Sequence, residues 1–134
     1  MSRVPIFARG GGAKRKRGEI PDRPLRQGQV WVYLRDAFHK AYPWGHIIRI
    51  ENAIGCGVPD VYYRLSNKRA GWIELKCGYD KCTDLQKAWH EEERAAEGMV
   101  WIICVRPNTV ILDFGGDCPK DLGIVTWDSL VAYL

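Results

Sequence analysis

Across residues 28–41, Val30, Leu34, Ala37, Phe38 and Ala41 recur at the three- and four-residue intervals of one helix face, so the stretch reads as an amphipathic helix. Pro43-Trp44-Gly45 breaks that period. The β-branched run His46-Ile47-Ile48-Arg49-Ile50-Glu51 then reads as a strand, and Gly55, Gly57 and Pro59 favour a loop or bulge after it. Residues 60–65 and 71–76 form two short strand-like runs, joined by a polar segment with the character of a hairpin turn. Thr83-Asp84 supplies an N-cap for a helix over 85–97 that stops at Gly98. Residues 99–105 are continuously apolar, which suits a strand buried on both faces. Pro107-Asn108 turns the chain into a partner strand over 109–114, which Gly115-Gly116-Asp117 ends. Thr126-Trp127-Asp128 caps a terminal helix over 129–134. The order α-β-β-β-α-β-β-α predicts an α/β fold with helices packed on a mixed β-sheet, and the chain carries no internal repeat.

A chain of 134 residues has room for one core, and 46% hydrophobic with 27% charged residues is the composition of a soluble globular protein. No apolar run approaches the roughly 20 residues that span a bilayer, and no apolar h-region follows the first basic residues. The expectation is therefore a cytoplasmic protein, phage-encoded or bacterial, with no membrane partner.

Charge changes the picture at one end. Residues 1–26 hold eight Lys and Arg against Glu19 and Asp22, so the whole positive excess of a chain with net charge +4 lies there. Gly10-Gly11-Gly12 followed by Lys14-Arg15-Lys16-Arg17 has too little apolar surface to fold alone. Residues 1–26 are thus expected to be a flexible basic arm and 27–134 a single domain. Lys14, Arg15, Lys16 and Arg17 would grip phosphates without regard to sequence; a solubilising tail or a nuclear-localisation signal would have the same composition.

Five cysteines lack the paired spacing of a disulfide framework, and reduced thiols fit an intracellular protein. Cys104, inside the apolar run, is expected to be a small core residue. Cys77, Cys82 and His90 have loose spacing and no evident fourth ligand, which argues against zinc.

The chemistry centres on Gly57-Val58-Pro59-Asp60 and Trp72-Ile73-Glu74-Leu75-Lys76. Side chains alternate along a strand, so Glu74 and Lys76 share one face while Ile73 and Leu75 take the other. Folding the hairpin about a turn near Lys68 sets Asp60 opposite Lys76 and Tyr62 opposite Glu74, which makes Asp60 and Glu74 diagonal neighbours. Two adjacent carboxylates favour a hard divalent cation such as Mg²⁺, with Mn²⁺ expected to substitute. Lys76 beside such an ion could orient a water or stabilise charge on a phosphate. The plain alternative is an exposed strand carrying a salt-bridged Glu and Lys.

Gly-Val-Pro-Asp60, Trp-Ile-Glu74-Leu-Lys76 and the downstream Gln86-x-x-Trp89 resemble the PD-(D/E)XK nuclease superfamily, in particular its phage and bacterial Holliday-junction-resolvase and VRR-NUC-type members. The resemblance covers roughly residues 28–114 and implies a restriction-endonuclease-like core. It implies that Asp60, Glu74 and the backbone carbonyl of Leu75 bind Mg²⁺, that Lys76 serves the attacking water, and that Gln86 helps place water or phosphate. Hydrolysis leaving a 5′-phosphate and a 3′-hydroxyl is the usual outcome in that family. Many members carry a glutamate on the first helix; this chain offers only Gln27 and Gln29 there, so Gln29 or Glu51 is the expected substitute ligand. Of the six tryptophans, Trp44, in a loop with Tyr42 and Pro43, is the one suited to stacking on a base.

Together these readings predict an Mg²⁺-dependent endonuclease acting on branched DNA, four-way junctions or flaps, in DNA recombination. Two scissile strands in a junction imply a homodimer. The alternatives are a restriction-like or end-processing nuclease, and a DNA-binding module with a vestigial site.

Overall fold

Val30, Leu34, Ala37 and Phe38, the stripe expected of the first helix, are the buried residues of α1 (Gln27–Ala41). The computed structural model describes residues 18–50, 57–65, 69–113, 120–124 and 126–134. After α1 come β1 (His46–Arg49), β2 (Val61–Arg64), β3 (Ala70–Cys77), α2 (Asp84–Ala95), β4 (Val100–Arg106), β5 (Thr109–Asp113), β6 (Lys120–Ile124) and α3 (Trp127–Val131). The strands form one mixed sheet in the order β1-β2-β3-β4-β5-β6, with helices on both faces. Only β3 and β4 run parallel, and α2 is the crossover that a parallel pair needs. The remaining neighbours are antiparallel.

β6 adds a strand to the expected order. Lys120-Asp121-Leu122-Gly123-Ile124 has two charges and a glycine at φ +69, so no strand pattern marks it. Its conformation comes from pairing with β5, across a register shift between Val110 and Ile111. Tertiary pairing here overrides weak local propensity.

Period-two alternation divides the two faces of the sheet. Ile73, Leu75, Trp101, Ile103, Val105, Val110 and Leu112 join the core with Val30, Leu34 and Phe38 of α1 and Trp127 and Leu130 of α3. Within it the indole N–H of Trp101 donates to the Tyr63 hydroxyl at 2.9 Å, satisfying a buried polar pair. α2 crosses the opposite face, where the rings of Trp72 and Trp89 meet edge-to-face at 5.1 Å. That cover is partial. Ile102 and Cys104 of β4 are only half-buried and Met99 is exposed, so the apolar run is not closed on both faces and Cys104 is not a core residue.

The folded unit also begins earlier than residue 27. Ile20 and Leu25 lie in the core, Glu19 bridges to Thr126, and the Trp127 N–H donates to the Gly18 carbonyl at 2.9 Å. Two buried apolar side chains therefore move residues 18–26 from the expected arm into the domain. Lys14, Arg15, Lys16 and Arg17 lie outside the described residues. Among the described residues, no helix is long and apolar enough to cross a membrane.

Candidate active site

The β2–β3 hairpin positions the first carboxylate. Its register pairs Val61 with Ile73 and Tyr62 with Trp72, so Tyr62 does not face Glu74, and Asp60 precedes the ladder level with Glu74 rather than Lys76. The cause is a turn one residue earlier than expected: the Leu65 N–H closes on the Arg69 carbonyl at 2.6 Å. A two-residue slip preserves every face assignment. Asp60 and Glu74 thus come closer than diagonal neighbours would. Asp60 is anchored twice, its Oδ2 accepting the Leu75 N–H at 2.9 Å and its carbonyl accepting the Ile50 N–H at 2.6 Å.

Glu74 is not on an outward face. It is 1% exposed, because β3 is a central strand and α2 lies over it. Burial pushes its carboxyl up to about 9, helped by a hydrogen bond and charge repulsion from Asp60 and opposed by Lys76. That shift favours the neutral, protonated form of the Glu74 carboxyl near neutral pH.

Lys76 is 9% exposed, and its Nζ donates to Gln86 Oε1 at 3.1 Å. The same Oε1 accepts the Thr83 N–H at 2.8 Å, while Thr83 Oγ1 accepts the Gln86 N–H at 3.2 Å. This capping box starts α2 and also fixes the amide that holds the lysine. Gln86 thus meets Lys76 by way of a helix cap.

One turn further along α2, His90 completes the cluster. It is 1% exposed, with Nε2 3.4 Å from Glu74 Oε1. Burial and the charges of Arg94 and Lys76 hold its imidazole down to about 4, so it is neutral when Glu74 is neutral. The contact is then a hydrogen bond rather than an ion pair. The sequence reading missed this residue. Its one signal is the four-residue spacing from Gln86, which puts both on one helix face.

Gly57 brings the Asp60 loop against this helix. It has φ +79, and a Cβ there would collide with the backbone of Leu85, reaching its carbonyl carbon at 2.7 Å. Gly57→Ala is expected to destabilise the fold by on the order of 2 kcal/mol, from left-handed strain plus overpacking. Urea unfolding beside wild type checks this; an unchanged midpoint would show that the loop yields freely.

Asp60 and Glu74, with the Leu75 carbonyl next along the chain, make a donor set that suits Mg²⁺. A divalent charge would relieve the repulsion between these neighbouring carboxyls, and two carboxylates leave coordination sites for water and phosphate oxygens. Among the described residues, no group of three or more His, Cys, Asp or Glu side chains forms a metal cage, which applies equally to Cys77, Cys82 and His90. Gln29 does not join the site, because its Oε1 accepts the Arg26 N–H at 2.9 Å in a helix cap. Gln27 does: its side-chain amide donates to the Leu75 carbonyl. Glu51 lies outside the described residues. Trp44 is 83% exposed in the turn after α1.

No protein-family model matches the chain, and no curated protein matches it.

Proposed function

We propose that this chain is a metal-dependent, structure-selective DNA endonuclease of the PD-(D/E)XK kind, with a restriction-endonuclease-like core. The observation that carries the reading is the cluster in which the buried Glu74 carboxyl lies beside Asp60 while the buried Lys76 ammonium is held by Gln86. Burying a carboxyl and an ammonium is costly for stability alone, and such perturbed groups cluster at functional sites.

In this reading Asp60, Glu74 and the Leu75 carbonyl hold Mg²⁺, or Mn²⁺ in its place. Such an ion would supply positive charge that favours the ionised carboxylates and polarises a phosphate bound there. Water adds to phosphorus and the P–O3′ bond breaks, leaving a 5′-phosphate and a 3′-hydroxyl. Lys76 directs its ammonium at the water and at the charge growing on the phosphate oxygens. Gln86 fixes the lysine. His90 holds the Glu74 carboxyl in place through the 3.4 Å contact between its Nε2 and Glu74 Oε1.

Branched DNA is the preferred substrate and a homodimer the working form, since a four-way junction presents two scissile strands. Cleavage of four-way, flapped and linear duplex DNA under one set of conditions tests this selectivity. Junction or flap cutting well above linear cutting supports it, and equal cutting favours a restriction-like or end-processing enzyme. The Gln27 contact with the Leu75 carbonyl, where many similar nucleases bring a glutamate, favours a second reading, a DNA-binding module with a vestigial site.

The basic arm supplies affinity rather than chemistry. Removing residues 1–17 is expected to weaken DNA binding about equally for all substrates. It should also flatten the salt dependence, by roughly one unit of slope for each phosphate the arm no longer neutralises. Binding titrations across a range of salt check this. An unchanged slope would leave the arm without a role in DNA binding.

A further inference from the structure

Beside Lys76 and His90 the sheet carries a cavity of about 700 Å³, within the range of about 300–1,000 Å³ usual for small-molecule sites. It lies between α2, which contributes Lys87, His90 and Arg94, and the strands β4 and β5. Its floor is apolar, formed by Ile102, Cys104 and Ile111. Its walls are basic: five Lys and Arg side chains line it against three carboxylates. A duplex is far too wide to enter, whereas one nucleotide fits.

Two details give the cavity a ligand chemistry. Tyr79 at its edge is 81% exposed, and the Arg106 guanidinium covers one face of its ring at 4.4 Å from the centroid. Arg106 is held in turn by the Gly78 carbonyl, which accepts from its Nε at 2.9 Å. A ring backed by a cation, with the rest open to solvent, is a platform for stacking a base. Deeper in the wall, Arg94 is pinned by a 2.8 Å hydrogen bond from Nη2 to the Val100 carbonyl. Its Nε is the one buried side-chain donor among the described residues without a hydrogen-bond partner. Leaving such a donor unpaired costs free energy.

We propose that this cavity receives an unpaired nucleotide of the DNA strand, its base stacked on Tyr79 and its phosphate among Lys81, Lys87 and Arg94, next to the carboxylate cluster. The inference rests on the nuclease reading for its choice of DNA, and it identifies the branch feature that the enzyme selects. A continuous duplex offers no unpaired nucleotide; a fork or flap does. Selectivity then comes from occupancy of the cavity rather than from base edges.

The test is binding of a forked duplex and a blunt duplex of equal length, by fluorescence anisotropy in EDTA so that neither is cut. The fork is expected to bind about tenfold more tightly. Tyr79→Ala should erase that preference while leaving blunt-duplex binding unchanged, and Tyr79→Phe should restore it. The exposure of Tyr79 keeps these variants folded. Equal affinity in wild type, or a preference that survives Tyr79→Ala, would overturn the proposal. Fork preference without metal-dependent cleavage would retire the nuclease and keep the cavity; cleavage without fork preference would do the reverse.

Discussion

Lys76→Met is expected to slow phosphodiester cleavage by about 10²–10³-fold while the fold and Mg²⁺ binding persist. Lys76 is 9% exposed, so its ammonium has been taken from water and held at one point by Gln86. Methionine keeps the long apolar stem that fills this space and deletes only the charge. The partner left behind is not orphaned, since Gln86 Oε1 still accepts the Thr83 N–H. Losing a cation also removes repulsion toward an incoming Mg²⁺. Single-turnover cleavage together with calorimetric Mg²⁺ titration separates the two roles. Unchanged cleavage would remove Lys76 from the chemistry; abolished metal binding would make it a structural support for Asp60 and Glu74.

Glu74→Gln should do something less common for a buried site residue: stabilise the metal-free protein while abolishing its response to Mg²⁺. The Glu74 carboxyl goes from an ordinary 4.5 to about 9 on folding, through burial and the neighbouring Asp60. Between those values the folded state holds a proton that the unfolded chain has released. Stability from this group is therefore complete below about pH 4.5 and is lost progressively as pH rises toward about 9. Glutamine cannot ionise, yet its amide can still donate to Asp60. Near pH 8 the variant should be more stable than wild type by on the order of 2 kcal/mol, several degrees in Tm, with the difference gone near pH 4.5. His90, held down to about 4, has the opposite pH dependence below its ordinary 6.5, but it is present in both proteins and largely cancels in the comparison. Millimolar Mg²⁺ should raise the Tm of wild type and leave the variant unmoved. Thermal melts across pH, with EDTA or Mg²⁺, decide the matter; a variant less stable at every pH would mean that Glu74 is ionised in the metal-free fold.

The faces of the carboxylate strand were legible because the strand period is two. Even with the hairpin closed at Leu65 and Arg69, a residue earlier than a turn near Lys68, Asp60, Glu74 and Lys76 keep their common side. Depth was not legible. Glu74 lies at 1% exposure because α2 crosses it, and a helix further along the chain leaves no mark on the strand's own pattern. His90 was hidden for the same reason: beside Cys77 and Cys82 it suggests a metal ligand, and only the helical spacing from Gln86 points it at Glu74. The first helix misled differently. Gln27 and Gln29 are chemically alike, but a helix that starts at Gln27 puts Gln29 where its side chain turns back to cap Arg26, leaving Gln27 to reach the strand. Ile20 and Leu25 sit among charges that disguise them as part of the arm, and β6 has too few apolar residues to declare itself.

The most direct test is cleavage of labelled four-way and flap DNA with Mg²⁺, wild type beside Glu74→Gln at equal concentration. The expected result is Mg²⁺-dependent product ending in a 5′-phosphate with wild type and none with the variant, which remains folded. No cleavage by wild type with Mg²⁺ or Mn²⁺, or equal cleavage by the variant, would contradict a hydrolytic site built from Asp60, Glu74 and Lys76.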